Sequence, residues 1–120
     1  MQVSGKSVFL SGPMTGVDAY NVAEFAKAHE RLNELGAQRV FDPAFEWYVS
    51  FARNGSKTRD HEFYMRQTLA ELVSGDLHGE RPLYDVIVTL PGWEGSEGAR
   101  LEVEVAKAVG IPAVPFEDVE

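Results

Sequence analysis

The stretch that decides the fold runs from residue 86 to residue 114 and reads VIVTLPGWEGSEGARLEVEVAKAVGIPAV. Val86 to Leu90 is mostly apolar and rich in β-branched side chains, which predicts a strand buried on both faces. A glycine-rich turn then leads into a helix from about Ala99 to Val109, and Gly110 ends that helix. Ile111 to Val114 is a further strand candidate. A strand, a helix and a strand in this order predict a parallel pair joined by a crossover helix.

The same alternation extends towards the start of the chain. Residues 44 to 60 carry several aromatic side chains before an Asn-Gly-Ser break, and either a helix packed on the core or an aromatic lid fits them. The other predicted elements are strands at 7–10 and 39–41 and helices at 22–35 and 60–73. We therefore expect one α/β domain over residues 1–120, with a mostly parallel sheet of four to five strands and helices on both faces.

The charge balance excludes some classes of partner. Eleven Lys and Arg residues stand against 19 Asp and Glu, a formal net charge of −8. A surface for polymeric nucleic acid or for an anionic membrane needs a basic face, so we expect neither partner. A single phosphorylated small molecule is still compatible, because backbone amides at a helix start hold a phosphate without many cations.

The composition also limits the chemistry and the location. The chain has no cysteine, so any covalent step must fall to another nucleophile, such as a carboxylate. His61 and His78 lie in polar stretches without a metal-ligand spacing, and we expect no metal and no cofactor. The apolar run at the start is too short for a signal peptide, and no apolar run reaches 18 residues, so we expect a cytoplasmic protein.

Three loops follow the predicted strands: SGPMTG at 11–16, DPA at 42–44 and LPGWEGSEG at 90–98. The carboxyl ends of parallel strands share one edge of the sheet, where ligands bind in such folds. The first and third loops have glycines at a helix start, which favours a backbone cradle for an anion. The alternatives are an ordinary β-to-α turn for the first loop and a simple N-cap role for Ser96 in the third. Trp93 is a candidate for stacking on a flat base, although aromatic residues of this size also serve cores.

Two glutamates on the last predicted helix are candidates for chemistry. If Leu101, Val105, Ala108 and Val109 face the core, Glu102 and Glu104 flank this stripe on opposite sides. Glu102 is the closer of the two to the glycine-rich loop. A carboxylate there can serve as nucleophile or as general acid or base if burial raises its pKa. Periodicity alone does not choose between the two glutamates, and two solvated side chains are the alternative.

The motifs VFLSGPMTG (8–16), DPA (42–44) and LPGWEGSEGARLEVEVA (90–106) together resemble the nucleoside 2-deoxyribosyltransferase-like superfamily. More narrowly, the chain is similar to its small phage and bacterial branch, DUF4406, over residues 7–44 and 84–114. The resemblance implies a three-layer Rossmann-like, flavodoxin-like sandwich. It also implies a homodimer or a larger homo-oligomer.

The same resemblance implies an enzyme that cleaves or transfers the N-glycosidic bond of 2′-deoxynucleosides. Glu102 falls on the family nucleophile, which attacks the anomeric carbon, and Glu104 on a position that is not catalytic. Ser96 matches a serine that binds the 5′-phosphate, which favours 2′-deoxynucleoside 5′-monophosphates as the small-molecule partner. The residues that we expect to bind the ligand are Ser11, Gly12, Pro13, Met14, Gly16, Asp42, Trp93, Ser96 and Gly98.

The chain departs from the family pattern at two catalytic positions. Phe9 stands where relatives have a tyrosine near the nucleophile. An aspartate that protonates the leaving base has Thr68 at its position in one register and Asp76 in another, so the expected catalytic pair is Glu102 and Asp76. Asp85 matches an aspartate that is structural.

These departures favour a non-catalytic nucleotide-binding module as the alternative to an enzyme. A third hypothesis is a phosphoribohydrolase of the cytokinin-activating type. Its PGG-x-GT-x-x-E loop is loosely similar to PGWEGSEGARLE at residues 91–102.

Overall fold

Four parallel strands form the sheet in the computed structural model, which describes residues 1–14, 17–53 and 61–120. The strands are β1 (Ser7–Ser11), β2 (Arg39–Phe41), β3 (Val86–Thr89) and β4 (Ala113–Pro115). Their order is β2-β1-β3-β4, and each neighbouring pair is parallel. Phe9 at the centre pairs with Phe41 on one side and with Ile87 on the other. The prediction of a mostly parallel sheet is confirmed, with four strands.

Four helices accompany the sheet in the described part of the chain. They are α1 (Val22–Glu34), α2 (Pro43–Arg53), α3 (His61–Leu72) and α4 (Glu97–Ala108). The aromatic segment after β2 is thus helical up to Arg53, and residues 54–60 lie outside the described part. None of the helices placed here has the length and apolar character needed to span a bilayer.

Side chains alternate across the sheet and supply two separate cores. Val8 and Leu10 of β1 pack with Val86 and Val88 of β3 beneath α1 and the start of α2. The intervening side chains face the other way, towards α3 and α4; they are Phe9 and Ile87, packed with Leu72, Val103 and Ala106. Helices on both faces of a parallel sheet make a three-layer, Rossmann-like sandwich, as expected.

The predicted apolar stripe of α4 is wrong. The buried residues of this helix are Ala99, Glu102, Val103 and Ala106, whereas Leu101 and Val109 are 45% and 40% exposed. Small alanine side chains allow the helix to lie close to the sheet, so the longer apolar residues fall on its flanks. Glu102 therefore lies within the buried face, while Glu104 points to solvent.

Candidate functional site

A cavity of about 350 Å³ opens at the carboxyl ends of β1 and β3, between α3 and α4. The loop after β1 contributes Gly12 and Met14, and the glycine-rich segment after β3 contributes residues 95–99. The remaining described residues that line it are Trp47, His61, Met65, Thr68 and Glu102. The fold thus brings the first and third of the three loops to one cavity.

Glu102 is the buried acid of this cavity, with only 6% of its surface exposed. Its Oε1 accepts a hydrogen bond from the Ser11 hydroxyl at 2.6 Å. The Thr68 side chain lies near enough to lower the pKa of Glu102, and its hydroxyl donates to the carbonyl of Met65 at 3.4 Å. Burial raises the pKa of Glu102 to about 7, because a charged carboxylate loses its hydration there, and the two hydroxyls partly oppose this rise. Near neutral pH, the protein therefore holds both the acid and the carboxylate at this position.

Local structure explains why these groups meet. Ser11 is the last residue of β1, a strand whose five residues are all buried. Glu102 is six residues after Ser96, so it lies between one and two turns into α4, on the face that packs against the sheet. Thr68 is buried on the neighbouring helix α3. Each side chain is held by a regular element, which fixes the carboxylate more firmly than a loop would.

The start of α4 forms the upper wall of the cavity. Ser96 is its N-cap, and its hydroxyl accepts a hydrogen bond from the amide of Ala99 at 3.2 Å. The amides of Glu97 and Gly98 belong to the first turn, where backbone N–H groups have no acceptor within the helix. Together with the helix dipole, these amides make the wall favourable for an anion. The N-cap role of Ser96 is thus observed, and it leaves the neighbouring amides for a ligand.

Glycines allow the walls to approach one another. A methyl group placed on Gly98 would lie 3.2 Å from Met65 Sδ, so α3 and α4 are close here because residue 98 has no side chain. A methyl group on Gly12 would lie 2.9 Å from Cβ of Leu90, closer than such atoms approach. Glycine at position 12 is therefore required where the loops after β1 and β3 meet.

The remaining expected residues of the first loop have different positions. Met14 lines the cavity, whereas the carbonyl of Pro13 accepts a hydrogen bond from Asn21 Nδ2 at 3.0 Å. Gly16 lies outside the described residues. Ser11 lies at the site, but its hydroxyl binds Glu102.

Three other expected site residues are not among the described residues that line this cavity. Asp42 accepts a hydrogen bond from the amide of Phe45 at the start of α2 and contacts His29. Asp76 stabilises the turn in which it lies, because its carboxylate accepts hydrogen bonds from the amides of residues 78 and 80. Trp93 packs against the core that contains Phe9. Asp85 accepts from the amide of Ser7, in agreement with a structural role.

Of the two registers for the family aspartate, the structure places Thr68 beside Glu102 and Asp76 in a surface turn. Phe9 is fully buried and stacks on Phe41, with the ring centroids 4.9 Å apart. It has no hydroxyl to offer to the cavity. A threonine, and no acid, therefore lies beside Glu102 on the described part of α3.

Among the lining residues that sequence reasoning missed are His61 and Met65. They share one face of α3 with Thr68, because residues 61, 65 and 68 follow helical spacing. That spacing is visible in the sequence, but it acquires meaning only when α3 packs beside α4. Within the described residues, no group of three or more His, Asp or Glu side chains is placed to hold a metal ion.

Fold and site together define a class: a Rossmann-like α/β domain with a buried, hydroxyl-bonded glutamate in a cavity at the strand ends. Residues 6–115 match the family described as "Domain of unknown function (DUF4406)". The chain belongs to this family. No curated protein matches it.

Proposed function

We propose that this protein cleaves the N-glycosidic bond of 2′-deoxynucleoside 5′-monophosphates, with Glu102 as the nucleophile. The observation that carries the proposal is a buried carboxylate, bound by the Ser11 hydroxyl and close to Thr68, in a cavity whose wall is a helix start. The resemblance to the nucleoside 2-deoxyribosyltransferase-like superfamily supplies the type of reaction. The cavity volume of about 350 Å³ lies within the range of small-molecule sites.

The arrangement suits a phosphorylated sugar. Gly98 and Glu102 are four residues apart on α4, a rise of about 6 Å along the helix axis. A 5′-phosphate bound by the amides of the first turn thus leaves the sugar one helical turn deeper, with its anomeric carbon facing the carboxylate. The ligand's negative end then meets the positive end of the helix dipole.

The proposed reaction has two steps. The ionised Glu102 carboxylate forms a bond to C1′, and the bond from C1′ to the base nitrogen breaks with its electron pair on the leaving base. The base gains a proton, which solvent supplies in the absence of a better donor. Water then attacks C1′, its proton goes to solvent, and 2-deoxyribose 5-phosphate leaves with the carboxylate restored. If a second base attacks instead of water, the product is a new nucleotide.

The protein's own groups serve this reaction in distinct ways. Burial removes water from the Glu102 carboxylate, which raises its pKa and makes the ionised form more reactive towards carbon. The hydroxyl of Ser11 holds the carboxylate in one orientation, and correct orientation contributes several kcal/mol to such reactions. The nucleophile must be ionised, so base release should increase as the pH rises through about 7.

A second candidate function is a nucleotide-binding module without turnover. One observation favours it: the residue beside Glu102 on α3 is Thr68, a hydroxyl, where relatives place the acid that protonates the base. Loss of general acid catalysis slows a reaction by about 10²- to 10⁴-fold. In such a module the same cavity binds the nucleotide and the glutamate remains as a structural acid.

The test is an assay for free base by liquid chromatography. The protein is incubated with the four common 2′-deoxynucleoside 5′-monophosphates, with the matching deoxynucleosides and with the ribonucleoside monophosphates. We expect release from the deoxynucleoside monophosphates, loss of release in Glu102→Gln, and retention in Glu104→Gln. Glu104 is the matched control because it lies on the same helix but is exposed.

The other possible results of this assay support the alternative functions or contradict the proposed nucleophile. Nucleotide binding without release of any base supports the module, and preference for ribose supports the phosphoribohydrolase. If Glu102→Gln releases base as fast as the wild type, the proposed nucleophile is wrong.

A further inference from the structure

One face of α3 lines the cavity from its mouth to its inner end. His61, Met65 and Thr68 line it together. Thr68 lies at the inner end, where it contacts Glu102. His61 is seven residues earlier, about 10 Å away along the helix axis, and it is exposed. The imidazole therefore lies at the mouth of the cavity, away from the carboxylate.

The imidazole also lies beside the first turn of α4. A methyl group placed on Gly98 would be 3.8 Å from Cε1 of His61. The amides of Glu97 and Gly98 belong to this same turn, on the wall to which the proposed function assigns the 5′-phosphate. His61 thus faces the phosphate position from the opposite wall.

His61 differs in charge from its neighbours. Among the described residues that line the cavity, the ionisable side chains are His61, Glu97 and Glu102, so the histidine is the one that becomes a cation. Glu97 is exposed at the mouth and Glu102 is buried below. On a chain with a net charge of −8, a local cation beside the helix amides offsets part of the repulsion of a phosphate dianion.

We propose that His61 donates a hydrogen bond to the phosphate group of the ligand and thereby selects phosphorylated over unphosphorylated sugars. This inference rests on the proposed function, because that function places the phosphate at the start of α4. A protonated imidazole and a phosphate make a charge-assisted hydrogen bond, which is shorter and stronger than a neutral one. The role concerns binding, so it predicts a change in affinity for the phosphorylated sugar whether or not the base leaves.

The experiment uses 2-deoxyribose 5-phosphate, which contains no base and so avoids the unknown base preference. Its dissociation constant is measured by titration calorimetry for the wild type, His61→Gln and His78→Gln at about pH 6 and about pH 8, on either side of the range in which imidazoles titrate. His78 is the matched control, because it is exposed in the turn after α3 and is not among the described residues that line the cavity. Glutamine keeps a hydrogen-bond donor and removes the charge.

We expect His61→Gln to weaken binding by at least about tenfold at pH 6, and by less at pH 8, since imidazoles in general carry less charge at the higher pH. The quantity to compare at each pH is the ratio of the dissociation constants of His61→Gln and the wild type, since the free ligand contains the same fraction of dianion in both measurements. His78→Gln should bind like the wild type. His61→Lys should restore tight binding at pH 8, because its charge persists there.

Two results overturn the inference. One is equal affinity of the wild type and His61→Gln for 2-deoxyribose 5-phosphate; if base release falls in that variant, His61 acts on the base instead. The other is the absence of binding of 2-deoxyribose 5-phosphate to the wild type.

The proposed function has its own readout, the release of base from intact nucleotides. If no base is released while His61→Gln still loses affinity, the inference stands and the second candidate function replaces the first. If base is released while His61→Gln binds normally, the proposed function stands and the inference fails.

Discussion

Two carboxylates among the described residues are buried to nearly the same extent, Asp42 at 4% exposure and Glu102 at 6%. One oxygen of Asp42 accepts a hydrogen bond from the amide of Phe45 and so caps the start of α2. The other contacts the ring of His29. Within the part of the chain that the structure describes, Glu102 accepts a hydrogen bond from the Ser11 hydroxyl, lies close to Thr68 and faces a cavity. The comparison shows that burial alone does not identify a candidate reactive carboxylate. Its hydrogen-bond partners and the open space beside it must be considered as well.

The largest expected difference between the two acids is in activity. Glu102→Gln removes the nucleophile, and we expect base release to fall by at least about 10⁴-fold, as is usual for such residues. Asp42→Asn keeps an N-cap oxygen and a group of the same size, so kcat/KM should change by less than about threefold. Both values come from the same chromatographic assay of free base. A comparable loss in Asp42→Asn would make Asp42 part of the catalytic machinery and remove the distinction.

The second difference is in the pH dependence of stability. The pKa of Glu102 is about 7 in the folded protein and 4.5 as the model value for an unperturbed glutamate, so the folded state holds the proton more tightly. The stability that this group contributes is fully present below 4.5, falls as the pH rises to about 7, and is absent above it. Glu102→Gln resembles the protonated form. Its free energy of unfolding at pH 8 should therefore exceed that of the wild type, by up to about 3 kcal/mol.

Urea denaturation at about pH 4 and about pH 8 measures this effect. The gain in Glu102→Gln should be present at the higher pH and absent at the lower one. Asp42→Ala provides the contrast, because loss of an N-cap costs about 1–2 kcal/mol. If Glu102→Gln is less stable than the wild type at pH 8, the Glu102 carboxylate is not destabilised by burial.

Much of the fold was predictable because its signals are local. The central strand, the glycine-rich turn and the helix start at Ser96 follow one another within a few residues, so β-branching, glycines and capping suffice to predict them. Glu102 itself was found through its motif. The buried face of α4 was not, because apolar residues such as Leu101 outweighed the small alanines that let the helix approach the sheet.

The rest of the site depends on contacts between distant segments. His61 and Gly98 are 37 residues apart in the sequence, and only the packing of α3 beside α4 brings them together. Asp42 and Asp76 carry the right chemistry for a site, but each binds backbone amides of its own turn. Residue type and proximity to a loop do not reveal such local use, so the sequence alone could not distinguish these two positions from residues that line the cavity.

A third prediction concerns Gly12, which directly follows Ser11 and so affects how Ser11 is positioned beside Glu102. In Gly12→Ala the added methyl group would lie 2.9 Å from Cβ of Leu90, so the loop must shift, and we expect a loss of about 2 kcal/mol in the free energy of unfolding. Gly95→Ala is the matched control in the same cavity wall, because nothing lies within 4 Å of its new methyl group. Thermal unfolding of both variants measures the effect. Equal stability of the two would mean that the two loops have room to separate.

The smallest effect should come from Ser11→Ala, which tests the partners of Glu102 directly. The Ser11 hydroxyl donates at 2.6 Å and lowers the pKa of Glu102, so its removal raises that pKa further above the ordinary value. The midpoint of the kcat/KM profile should then move upwards by about one pH unit, and activity below pH 7 should fall about tenfold. Well above the new midpoint the two rates should converge, because the carboxylate is ionised in both proteins. Ser74→Ala, which loses only a hydrogen bond to a helix carbonyl, should leave the profile unchanged. A loss that is equal at every pH would instead mean that the hydroxyl orients the carboxylate or contacts the substrate, and that burial alone sets the pKa of Glu102.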